Sequence, residues 1–169
     1  FIGEEGPIAE AEVIHAIWRT VEEMGVSSAQ GELVVSATGC SQCRPHFRSS
    51  FLSYFRTRGA RLCHMCRRSL KRAPTRVLAC EEEKCKMITR HAPQMLDFLC
   101  EPCKKHLRGI LEFLEETKIS YFLDTRLFRE GSWFQRFVFE MRCDPRMSAE
   151  GIGKESVPLV DPSGQEQDD

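Results

Sequence analysis

The chain has 169 residues, with 24 Lys and Arg against 25 Asp and Glu, a net charge of −1 and a 41% hydrophobic share. That suits one ordinary globular domain, or a core with a small insertion. No stretch approaches the unbroken apolar run of a membrane helix, and "FIGEEGPIAEAEV" lacks the basic flank and apolar centre of a secretory signal. The expectation is a cytoplasmic chain with no membrane association. Phe1 in place of Met points to a processed chain or a piece of a longer reading frame.

In chain order, "EAEVIHAIWRTVEEMG" sets Val13, Ile14, Ile17, Val21 and Met24 at helical spacing, and Gly25 ends that helix. "GELVVSATG" is β-branched and bounded by glycines, and reads as a strand. Arg44 to Phe55 reads as a second helix with Phe47, Phe51, Leu52 and Phe55 on one side. Their helical period argues for core packing over base stacking. Pro74 breaks the chain, and short helical pieces follow near 84–90 and 93–98. "PCKKHLRGILEFLEETK" is the clearest helix, with Leu107, Ile110, Leu111 and Leu114 in one stripe. "ISYFLDT" and "QRFVFEM" then read as two neighbouring antiparallel strands. From Asp144 the chain is rich in Gly, Pro, Ser and acids, and is expected to be disordered.

Of nine cysteines, eight form close pairs: Cys40/Cys43, Cys63/Cys66, Cys80/Cys85 and Cys100/Cys103, with Cys143 left over. A two-residue gap lets a tight turn aim both thiolates at one ion, as tetrahedral zinc sites require. Disulfides would need an oxidising compartment, and metal-free buried thiols are the plain alternative. Four successive pairs favour two structural zinc ions over either. Which pair joins which is not readable. Sequential pairing, with nineteen residues between Cys43 and Cys63, is a convenience. His46 and His64 lie close enough to replace a thiolate, but each pair is already complete.

Between Ser36 and Cys80 there is no acid, while Arg44, Arg48, Arg56, Arg58, Arg61, Arg67, Arg68, Lys71, Arg72 and Arg76 all fall there. A solvated basic face balanced by acids elsewhere would account for this. A phosphate-binding surface accounts for it better.

The succession of helix, strand, "G-C-x-x-C-R-x-x-[FY]-R" turn, basic helix, "R-V-L-x-C", "H-A-P", long helix and "D-x-R-L-x-R" resembles histidyl-tRNA synthetase, a class II aminoacyl-tRNA synthetase. The resemblance runs from about Phe1 to Met141, with "FIGEEGPIAEAEVI" similar to the segment just after that family's motif 2. It implies an α+β fold: a partial class II core, of antiparallel strands plus helix, carrying a mainly helical insertion. The implied layout is a core segment over 1–38, a Cys-rich insertion over 39–116, core strands over 117–143 and a tail over 144–169. It implies histidine activation with ATP and Mg, transfer to tRNA, and a homodimer. The insertion would reach the tRNA acceptor stem through Arg44, Arg48, Arg67, Arg68, Lys71 and Arg72.

"LDTRLFREGSWFQRFVFEM" aligns with the family's histidine-binding signature, D-P-R-L-V-R-G-L-D-Y-Y-T-R-T-V-F-E. Arg129 stands where the family has its catalytic arginine, a cation that stabilises charge on the ATP α-phosphate. Glu130 replaces the family's Gly, Ser132 its Asp, and Trp133 and Phe134 its two Tyr. Glu130 adds a carboxylate where backbone would approach ligand, and the lost hydroxyls leave imidazole partners unmade. Motifs 1 and 2 would precede Phe1, and no motif 3 follows Met141. The expectation is a chain inactive by itself. The competing reading is a non-catalytic, zinc-stabilised paralogue that binds RNA or protein.

Overall fold

The computed structural model describes residues 4, 6–26, 31–129, 131 and 135–143. Helix α1 (Pro7–Glu23) leads to strand β1 (Gly31–Gly39). Four helices follow, α2 (Cys43–Arg58), α3 (His64–Arg72), α4 (Glu83–Thr89) and α5 (Glu101–Glu116), and then strands β2 (Tyr121–Leu123) and β3 (Arg136–Cys143). Tight 3-10 turns at Gly59–Arg61, Pro74–Ala79 and Met95–Phe98 join the helices. The expected disordered tail and the substituted positions 130 and 132–134 lie outside the described residues.

Pro7 opens α1, where its missing N–H costs nothing. Gly25, at φ +88°, closes it: Gly25 N–H donates to Glu22 O and Val26 N–H to Val21 O, which satisfies the orphan carbonyls. The buried side is Ala9, Ala11, Ile14 and Trp18. Of the five apolar positions singled out by period, only Ile14 is buried; Val13, Ile17 and Met24 are exposed. Close approach to α5 explains the rotation. A Cβ on Gly109 of α5 would stand 2.9 Å from Pro7 Cγ, so the contact selects small residues.

The three strands run in the order β2-β1-β3. Strand β1 is central, parallel to β2 (Leu33 opposite Tyr121) and antiparallel to β3 (Val35 opposite Phe139). The two segments expected to pair with each other therefore lie on opposite sides of β1. Strand β2 follows β1 through helices and so arrives parallel, while the residues from 124 to 135 give β3 enough chain to reach the other edge. Because β1 is flanked on both edges and covered on both faces, it is buried continuously from Leu33 to Gly39.

One core packs α1 and α5 on the sheet through Ile14, Trp18, Leu33, Val35, Ile110 and Leu114. A second fills the α2–α4 region with Phe47, Phe51 and Phe55, all three buried as their spacing requires. Each ring contributes about 1.5–3 kcal/mol by burial. The same core includes buried cysteines from all four pairs.

Candidate metal centres and basic face

The eight paired cysteines gather into two tetrads, Cys40, Cys43, Cys100, Cys103 and Cys63, Cys66, Cys80, Cys85, with all sulfurs of each set within 4.8 Å of one another. Sequential pairing is thus replaced by a nested one, the first pair joining the fourth and the second joining the third. The reason is helix length: Cys43 opens α2 and Cys63 follows it, and sixteen helical residues span about 24 Å. No ion can bridge that distance.

Each tetrad could hold a metal ion. Tetrahedral Zn–S bonds of about 2.3 Å place sulfurs about 3.8 Å apart. Cys40 and Cys43 sulfurs lie 3.5 Å apart, Cys40 and Cys100 3.8 Å, and Cys63 and Cys80 4.0 Å. Backbone N–H groups are aimed at the sulfurs: Cys100 N–H donates to Cys43 Sγ at 3.2 Å, Cys63 N–H to Cys85 Sγ at 3.3 Å, and Cys66 N–H to Cys63 Sγ at 3.3 Å. Cys63 thereby caps α3 with sulfur where an oxygen is usual. Cys100 occupies the N-cap position of α5 without a side-chain cap bond, so each tetrad has a cysteine at a helix N-terminus, where the dipole favours negative charge.

The thiols divide in acidity. Burial opposes ionisation of Cys40, yet N–H donation from Cys43 and Gln42 outweighs it and pulls the thiol down to about 6. Donation from Cys66 N–H lowers Cys63. Burial pushes Cys43, Cys66, Cys85 and Cys103 up. Each tetrad thus sets one thiol that ionises more readily beside two that burial holds back, and a bound cation would favour ionisation of those two. Four sulfurs leave a metal no open position, which suits structure and not catalysis.

Helix α3 carries Arg67, Arg68, Lys71 and Arg72, all exposed, along a cleft of about 670 Å³ that Arg76 also lines. None of these five cations pairs with a carboxylate among the described residues. Arg44 and Arg48 sit apart from them on α2. Arg44 is half-buried, and its guanidinium donates to Thr38 O at 3.0 Å, Gly39 O at 3.2 Å and Gly131 O at 3.1 Å. Arg48 is exposed and lines a separate cavity of about 320 Å³ with Phe47, Thr75 and Phe128.

Arg129 is exposed and pairs with Glu140 of β3, which also binds Arg142 at 3.3 Å. The loop that carries it rests on the cysteine-rich part: Phe128 packs on Phe47 with centroids 5.3 Å apart, and Arg126 Nε donates to Leu78 O at 3.2 Å. Sequence reasoning missed these anchors, and no spacing rule would have found them.

No protein-family model matches the chain. It is 32% identical over 139 residues to histidine–tRNA ligase of Caldicellulosiruptor bescii, covering 82% of this chain and 32% of that protein. Against histidine–tRNA ligase of Symbiobacterium thermophilum it is 34% identical over 150 residues, or 88% and 34% of the two chains. Among solved structures, apo S. aureus histidyl-tRNA synthetase superposes with a TM-score of 0.61 at 24% identity, over 82% of this chain and 32% of that one. The fold is that of part of a class II aminoacyl-tRNA synthetase. Within that class the chain is homologous to a segment of histidyl-tRNA synthetase, and it spans about a third of the length of the curated relatives it matches. No helix among the described residues is long and apolar enough to cross a membrane.

Proposed function

We propose that this chain acts as a zinc-stapled, RNA-facing segment of a histidyl-tRNA synthetase-like protein, with α3 turned to the acceptor stem of tRNA. The observation that carries the reading is the row of α3 cations without acidic partners among the described residues, in a chain homologous to a segment of a histidine–tRNA ligase. Arg67, Arg68, Lys71 and Arg72 contact phosphates, and the two tetrads hold structural zinc. If α3 and its neighbours neutralise about six phosphates, affinity for an acceptor-stem hairpin falls by about 10³ between 50 and 200 mM salt, following the duplex rule. A flat salt response would remove the RNA reading.

Histidine activation with ATP and Mg, and a homodimer, come with the same kinship. Arg129 is the residue of this chain that would face the α-phosphate. When bound, Mg and ATP supply the electrophilic phosphorus; the part of Arg129 is to hold charge there.

A second reading, a non-catalytic paralogue that binds RNA or protein, is favoured by the Arg129–Glu140 pair, which engages the cation, and by the altered signature at 130 and 132–134. Histidine-dependent ATP–pyrophosphate exchange by the full gene product decides between the two. Exchange that disappears in Arg129→Ala would sink the paralogue.

A further inference from the structure

A second basic cleft, sharing no residue with the α3 face, opens where the end of α2 meets α4. It has a volume of about 470 Å³, and its walls include Tyr54, Arg58, Arg61, Lys84, Met87 and His91. We infer that it binds one unstacked nucleotide of single-stranded RNA, its base on the Arg58–Tyr54 stack and its phosphates on Arg58 and Arg61.

The platform is built in place. Tyr54 Oη donates to Ile88 O at 2.8 Å, which ties the ring to α4. Arg58 lies over that ring with its guanidinium carbon 4.2 Å from the centroid, and its Nη1 donates to Tyr54 O at 3.2 Å. The guanidinium plane is therefore oriented before any ligand arrives, and such planes, like aromatic faces, accept bases by stacking. Met87 adds a soft apolar wall and is 55% exposed.

Charge selects the ligand class. Lys84 already pairs with Glu82 at 2.9 Å. Among the described residues Arg58 and Arg61 have no carboxylate partner, so a phosphate meets cations whose charge no acid offsets. A duplex would hide its bases from a concave site, whereas an unpaired nucleotide offers base and phosphate together. The α3 cleft is lined by five cations with His64 as its one ring and no tyrosine–arginine stack, which suits a helical backbone better than an unpaired base. The inference goes beyond the α3 reading and can fail without it.

Two exposed methionines report on the two clefts separately: Met65 lines the α3 cleft and Met87 the second. The zinc-loaded chain, labelled with 13C at methionine methyls and assigned through Met87→Leu, is titrated with a single-stranded hexaribonucleotide, an RNA hairpin and AMP. The hexamer should shift the Met87 methyl. Arg58→Ala combined with Arg61→Ala should weaken hexamer binding by about tenfold or more and lower the salt slope by about 1.4, with zinc content and far-UV dichroism unchanged. A Met87 signal unmoved by hexamer, or equal affinity in the double variant, overturns the inference. If AMP binds as tightly as the hexamer, the ligand is a free nucleotide and the RNA assignment is overturned. A Met65 signal unmoved by the hairpin counts against the α3 reading alone.

Discussion

Gly39 shows how one residue joins strand to metal. Its φ of +65° is a left-handed conformation, and a Cβ there would lie 2.1 Å from Met95 Cε and 2.9 Å from Cys43 Cβ. Gly39→Ala is expected to cost about 2–4 kcal/mol, through backbone strain plus overpacking, and to loosen the first tetrad. Chemical denaturation with parallel zinc analysis reads both effects. Arg44 is the contrasting case. As one of a run of arginines it suggested RNA contact, but its donors point at backbone carbonyls of β1 and of Gly131. Arg44→Ala should therefore lower stability by about 2 kcal/mol while leaving the salt slope for RNA almost unchanged. A slope reduced by about one would restore Arg44 to the RNA surface. No sequence pattern reveals the backbone bonds of Arg44, because they depend on which carbonyls the fold brings within 3.2 Å.

At the scale of elements, α3 depends on the second tetrad. It has nine residues, buries only Cys66 fully, and carries four cations that repel one another. Helices this short are marginal alone, so the tetrad and the core contact of Leu70 hold it in place. A zinc ion bound by four cysteines contributes on the order of 10–16 kcal/mol in small peptides, ample for that task. Stripping metal with a strong chelator should melt α3 and α4 first, seen as fast amide exchange there while β1 stays protected. The nested pairing gives a sharper test. Cys43→Ser with Cys100→Ser removes ligands from one tetrad, so one ion per chain should be lost. Cys43→Ser with Cys63→Ser damages both, and both ions should be weakened. Equal zinc loss in the two double variants would refute the pairing. The pairing was not legible, because it depends on where the ends of α2 lie relative to the other pairs in space.

Across the whole molecule, the cysteine-rich part and the sheet are coupled through the Arg129 loop. Phe128 on Phe47, Arg44 on Gly131 and Arg126 on Leu78 all cross from one to the other. Truncating Phe128 to Ala should therefore cost about 3 kcal/mol and raise amide exchange in both β3 and α2, measured by mass spectrometry. If only one of the two elements responds, the parts fold independently.

The sequence by itself determined the helices and strands, because apolar period and turn residues are local. It also pointed to thiolate ligands, because the C-x-x-C spacing of three of the four pairs is a property of one turn, Cys80/Cys85 having four residues between. The kinship was legible in the ordered motifs from Gly39 to Arg129. Tertiary structure decided the rest. It placed β2 and β3 on opposite edges of β1, and it matched cysteine pairs across α2. It also turned the Ala11 and Trp18 side of α1 inward. Each of these depends on distances between residues remote in sequence, set by helix length and close packing, and a linear pattern carries no record of them.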